Sequence, residues 1–176
     1  MGSNFECLKE TVVKYSESDY WEEAVDEWEI IECHIDKNVE EICICGQEGL
    51  RYCYTIRNRL NGKNLYPIGS SCILQFERND LKQIIRIYEQ LFHICAKYYN
   101  HEKITLNDFS RGLLKFFLAA NVFQGTLYNR FNPKNDYEFM LKMFNRRLEP
   151  AQRQQSKINA IIINSVVPYI KSLETV

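Results

Sequence analysis

The residues best equipped for chemistry are cysteines. Cys43-Ile44-Cys45-Gly46 sets two thiols one residue apart ahead of a glycine, and Cys72 stands further along the chain behind Ser70 and Ser71. Zinc takes four such ligands in a tetrahedron at about 2.3 Å, and four protein ligands close the site. Gly46 lets the backbone fold tightly round the ion as a knuckle. The two serines predict a helix start, which places Cys72 in a first turn where free N–H groups and the helix dipole favour a thiolate. A knuckle facing a helix N-terminus is a treble-clef style of site. For the fourth ligand, Cys33, His34 and Cys53 all lie within reach. Cys33 is preferred because it closes a strand just ahead of the knuckle, whereas Cys53, between Tyr52 and Tyr54, reads as strand packing. Cys7 and Cys95 fall on helical stripes and read as core. The expected set is therefore Cys33, Cys43, Cys45 and Cys72 around one structural Zn2+, with no catalytic residue.

The context agrees with that chemistry. The opening MGSNFECLKETVVKY lacks the basic-then-apolar layout of a signal peptide, and no apolar run approaches the roughly 18 residues of a membrane span. A cytoplasmic location without membrane contact is expected. Seven cysteines, an odd number, would then stay reduced and available to metal. Other chemistries find little to use. There is no glycine-rich phosphate loop, and His34, His93 and His101 form no metal motif. Cys33 and His34 are adjacent on a strand and so point to opposite faces, which argues against a thiol nucleophile.

The formal net charge of −1 conceals a division of sign. Residues 1–50 hold fourteen acids and three bases, net −11, while residues 51–176 hold nine acids and nineteen bases, net +10. Such halves can meet partners of opposite preference, or each other. Glu22, Glu23, Asp26 and Glu27 are expected on an acidic outer helix face. Arg51, Arg57, Arg59 and Lys63 gather among Tyr52, Tyr54 and Tyr66, and cations beside aromatics suit single-stranded nucleic acid. Strand alternation, however, puts the three arginines on one face with Cys53 and Thr55, and Tyr52 and Tyr54 on the other.

The elements that must position these groups follow from periodicity. Phe5, Leu8, Val12 and Tyr15 mark one amphipathic helix; Trp21, Ala24, Val25 and Trp28, at i, i+3, i+4 and i+7, mark a second. From Glu29 the period becomes two, and strand character continues through CICG and LRYCYTIRN to an Asn61-Gly62 turn and NLYPIG. A short helix then carries Cys72, Ile73 and Phe76. Leu81, Ile84, Ile85, Tyr88, Leu91, Phe92 and Cys95 form a stripe of about four turns. Thr105-Leu106-Asn107-Asp108 resembles a capping box before another helix. Helices over Asp136–Phe144 and Pro150–Leu173 complete the chain, with Pro168 as an expected kink. The predicted fold is α+β: acidic N-terminal helices over 1–28, a zinc-binding antiparallel β-hairpin module over 29–79, and a mainly α-helical domain over 80–176 on which that module packs. Apolar helical stripes can face a core or a twin, so a homodimer is also compatible.

The motifs Cys43–Gly46, Y-x-I-x-N-x-x-x-G over Tyr54–Gly62 and G-S-x-C-I-x-x-F over Gly69–Phe76 resemble those of small CxCG zinc-knuckle proteins of bacteriophages and mobile elements, chiefly from Gram-positive bacteria. Glu27-Trp28-Glu29 and DYEFMLKMFNRR extend the resemblance more loosely. It implies zinc and a bacterial host cytoplasm. Neighbours of such proteins include nucleic-acid accessory proteins and inhibitors of host defence such as anti-CRISPRs. The leading expectation is a non-catalytic protein whose acidic surface binds a host protein or nucleoprotein, such as a nuclease effector. One alternative is direct DNA or RNA binding through the basic hairpin. Another is a degenerate nuclease, because YTIRNRLNGKNLYPIGSS is superficially similar to the hairpin of GIY-YIG endonucleases, where Tyr54, Tyr66 and Arg78 would be matched. Pro67 interrupts that match.

Overall fold

The computed structural model describes residues 3–173 and shows an α+β chain whose strands form one three-stranded antiparallel sheet. It divides into two compact units, Met1–Arg86 and Ile87–Val176.

In the first unit, helix α1 (Asn4–Tyr15) starts where Ser3 Oγ accepts the N–H of Glu6, and it buries Leu8 and Val12. The stripe through Trp21 and Trp28 does not make one helix. Helix α2 is only Trp21–Ala24, a 3-10 turn follows over Val25–Glu27, and Trp28 already opens strand β1 (Trp28–Ile35). The side chains still share a core. Trp21 packs edge-on between Phe5 and Phe76, at 5.6 and 5.5 Å, and Trp28 is fully buried with its indole N–H donating to Ser16 Oγ. Apolar spacing thus reported burial correctly, but not backbone type.

Strand β2 (Tyr52–Asn58) lies between β1 and β3 (Asn64–Ile68), and both pairings are antiparallel. A bulge between Ile30 and Glu32 shifts the β1 register, after which Cys33 faces Tyr54 and His34 faces Cys53. Tyr54, Ile56, Leu65 and Ile68 are buried on the sheet, while the turn at Asn61-Gly62 uses a positive φ of 73° at Gly62. The expected continuous strand through CICG is instead a loop from Asp36 to Arg51, held by the lone bridge Glu41–Leu50 and by Asp36, whose carboxylate accepts three backbone N–H groups. Helix α3 (Ser70–Leu74) follows directly after β3; its cap is Gly69, without a side-chain bond from either serine.

Helix α4 (Asn79–Tyr99) runs from the first unit into the second. The Thr105–Asp108 capping box closes a 3-10 turn only, and α5 (Arg111–Ala119) has its own cap in Ser110. Helix α6 (Pro133–Phe144) begins at Asn132, with proline in the first turn where its missing N–H costs nothing. Helix α7 (Gln152–Ile161) passes through a π-helical stretch over Ile162–Val166 into α8 (Val167–Ser172). The wider winding precedes Pro168, which has no N–H for a regular ladder, so the irregularity expected at this proline includes a π-helical segment. Phe117 sits fully buried in this unit's core, in ring contact with Phe109, Phe116, Phe123 and Tyr169.

Candidate metal centre

Two elements of the first unit, the knuckle and α3, deliver one thiol cluster. The knuckle turns at Cys43–Gly46: Gly46 N–H donates to Cys43 O at 2.7 Å, and Gly46 takes φ +88°. The knuckle is then fixed from both sides, since Cys43 N–H donates to Gln47 O and Ile44 N–H donates to Pro67 O at the end of β3. Cys72 enters from the first turn of α3. As a result the sulfurs of Cys43, Cys45 and Cys72 all lie within 4.8 Å of one another, with Cys43 and Cys45 buried and Cys72 half-buried. Among the described residues this is the group of cysteine, histidine or carboxylate side chains that could hold a metal ion.

The distances suit a tetrahedral ion. Bonds of about 2.3 Å imply a sulfur–sulfur edge of roughly 3.8 Å, and Cys43 Sγ lies 3.6 Å from Cys72 Sγ. The surroundings also favour negative sulfur. Gly69 N–H points at Cys43 Sγ at 3.4 Å. Donation from Cys72, together with the N–H groups of Cys45 and Gly69, holds the Cys43 thiol well below its ordinary range against the opposing effect of burial. The Cys72 thiol is pushed up because it donates to Cys43 and is buried, and Cys45 is pushed up by burial. One thiolate is thus stabilised and its neighbours resist ionising beside it. A divalent cation between the three sulfurs removes that conflict, and the donor set fits a soft or borderline metal such as zinc.

Cys33, expected as the fourth ligand, is not brought into this group. Beyond the bulge its side chain shares a face with Tyr54, beside whose phenol it sits, and burial pushes its thiol far up. Cys53 is fully buried in β2, 3.9 Å from Leu50 O. His34 is engaged elsewhere: its Nε2 lies 2.7 Å from the Tyr66 hydroxyl, which donates to Glu41 Oε1 at 3.1 Å. Cys7, read from its stripe as core, is exposed.

The expected partner-binding residues separate into two groups. Glu22, Glu23 and Asp26 are exposed. Glu27 is only 6% exposed and cannot serve that face. Its carboxylate accepts the N–H groups of Glu17 and Ser18, each at 2.8 Å, and the side-chain amide of Asn58. Burial alone would raise that carboxyl, but these three donors hold it below the usual range. On the hairpin, Arg57 pairs with Glu29 at 2.7 Å, Arg59 donates to Asp26 O, and Lys63 and Arg51 remain exposed. Of the three tyrosines, Tyr54 is buried and Tyr52 half-buried, while exposed Tyr66 is bonded through its hydroxyl to His34 and Glu41. Of the residues matched to the nuclease hairpin, Tyr54 is interior, Tyr66 is bonded to Glu41, and Arg78 donates to Val25 O, Trp28 O and the Asp80 carboxylate.

The second unit exposes a feature that sequence reading passed over. Leu127, Tyr128 and Phe131 are 78, 94 and 68% exposed on the loop before α6. Buried Asn129 pins that loop by bonds to Gln124 O and the Asp136 carboxylate. Asn129 lacked any periodic signal, whereas a run of apolar residues bounded by Gly125 and Asn132-Pro133 could have drawn attention to the loop. Comparison with known protein families, curated proteins and solved structures returns no match. No helix among the described residues is long and apolar enough to cross a membrane.

Proposed function

We propose that this chain is a non-catalytic, zinc-braced binding protein whose first unit presents an acidic face to a basic surface on another protein or nucleoprotein. The reading extends to inhibition of a host nuclease effector, in keeping with the phage and mobile-element proteins that its motifs resemble. The observation that carries it is the exposed trio Glu22, Glu23 and Asp26. Among the described residues neither glutamate makes a salt bridge, and Asp26 only reaches the limit of one, 4.0 Å from Arg78. Charge left uncompensated on a short helix held by a tryptophan core is available for docking, and complementary charge speeds and orients such encounters. The basic hairpin supports direct nucleic-acid binding less well, because Arg57 and Arg59 are already occupied within the unit.

The test is capture from phage- or plasmid-bearing bacterial cells with the wild-type chain and with the variant E22K/E23K/D26K. The expected result is a basic nucleic-acid-dependent effector retained at low salt, released as salt rises, and not retained by the variant. Equal retention by the variant removes the acidic face from the account. Recovery of nucleic acid alone transfers the role to the hairpin.

A further inference from the structure

We infer that Cys7 of α1 completes the metal centre as its fourth ligand. The inference rests on the metal-braced reading above and deepens it. The first turns of α1 lie against the knuckle at two points. Cys7 Sγ is 3.5 Å from the carbonyl oxygen of Ile44, the residue between the two knuckle cysteines, and Asn4 Nδ2 is 3.4 Å from Gln47 Oε1 just beyond them. Leu8 and Val12 are buried and hold the helix in that position, which leaves Cys7 at the border of the buried stripe with an exposed side chain.

Among the described residues the Cys7 thiol donates only to Ile44 O. The distance is ordinary for sulfur, but S–H is a weak donor by nature, so little is lost when the bond to Ile44 O is given up. One change of staggered rotamer takes the sulfur off Ile44 O without moving the helix. Among the described residues the other candidate thiols and imidazole have partners of their own, although Cys53 is near enough to Cys43 to feel its charge. Cys33 and Cys53 lie on the sheet with Tyr54 and Leu50 O, and His34 is bonded to Tyr66. On another side the cluster borders a cavity of about 150 Å3 lined by Cys43, Cys72, Arg51, Ser70 and Ser71, which offers no further cysteine, histidine or carboxylate. Cys7, like Cys33 and Cys53, lies outside the group of three sulfurs, but its helix is the one that touches the backbone between the two knuckle cysteines. With Cys7, M2+ is held by four thiolates, displacing the protons of those sulfurs still protonated, and the closed four-sulfur site carries a net charge of −2. Helix α1 then becomes part of the metal fold, tied to the knuckle by a bond as well as by packing.

The full chain is purified, stripped and titrated with Co2+, whose thiolate charge-transfer absorption scales with the number of bound sulfurs. C7S, C33S and C43S are titrated beside it. In parallel, alkylation of each cysteine is followed by mass spectrometry with and without Zn2+. The expected result is a four-thiolate spectrum in wild type and C33S, and an absorption reduced by about a quarter in C7S. The Zn2+ affinity of C7S should fall by more than the ~10–100-fold typical of losing a residue that merely orients a ligand. Cys7 should be protected from alkylation by Zn2+ together with Cys43, Cys45 and Cys72. An unchanged C7S spectrum, with Cys7 alkylated equally in both conditions while the other three are protected, overturns the assignment and leaves water in the fourth position. Failure of wild type to bind either ion overturns the metal-braced reading itself.

Discussion

Glu27 and Asn58, 31 residues apart in the chain, meet in the interior of the first unit, where the Asn58 amide donates to the Glu27 carboxylate. Asn58 Oδ1 in turn accepts the N–H groups of Leu60 and Asn61, and Glu27 accepts those of Glu17 and Ser18. The pair therefore joins the link after α1 to the β2–β3 turn. Two residues of the resemblance motifs thus have an architectural role.

Acid should act on this pair. The Glu27 carboxyl is held below its ordinary range, so its contribution is full above the usual carboxylate pKa and is lost as pH falls through the lowered folded value. Melting of the first unit is expected to weaken on acidification below about pH 4.5 more steeply in wild type than in E27Q. E27A, which leaves Asn58 and two backbone donors unpaired, should cost about 2–3 kcal/mol at neutral pH. Chemical denaturation across pH checks both; parallel acid profiles for wild type and E27Q would refute the linkage.

Chelation should divide the molecule thermally. The cysteine cluster belongs to Met1–Arg86 alone, while the second unit has a core of its own around Phe117. Structural metal sites contribute folding energy comparable to the stability of a small domain. Adding a strong chelator is expected to lower or abolish one calorimetric transition and to leave the other in place. A single transition moving as a whole would show that the units unfold together.

Phe117→Ala offers the reciprocal perturbation. The ring is fully buried among four aromatic neighbours, and its removal should cost about 3–5 kcal/mol. The loss should appear in the chelator-insensitive transition, with cobalt binding unchanged. Weakened metal affinity in this variant would contradict that separation.

Gly46→Ala probes the knuckle backbone. A Cβ at this position meets nothing within 4 Å, but φ is +88°, a conformation that side chains disfavour. The expected cost is about 1 kcal/mol, expressed as weaker metal binding without loss of the fold. Wild-type affinity measured by competition with a chromophoric chelator would show that the knuckle tolerates a side chain.

The legible parts of this protein were those encoded over a few neighbouring residues. Cys43-Ile44-Cys45-Gly46 announces a turn with two thiols, because a C-x-C before glycine needs only local geometry to converge. The long α4 and the β2–β3 turn likewise follow from short-range periodicity and from Asn61-Gly62. Cys72 joins the knuckle through its place at the start of α3, although Gly69, and neither serine, supplies the cap.

Tertiary structure alone decided which members of like-looking sets had which task. Glu27 stands among six other acids near Trp21 and Trp28, yet the change from α2 to β1 turns it inward to a partner beyond the reach of any local pattern. Cys33 and Cys7 both depart from their expected places for the same reason. A single bulge in β1 sets Cys33 beside Tyr54, while burial of Leu8 and Val12 brings Cys7 to the edge of the knuckle. Sequence determined the residue types and the local turns that make a thiol cluster possible. The closing of the sheet and of α1 determined which side chains share a space, because contacts across tens of residues depend on register and packing that no local period encodes.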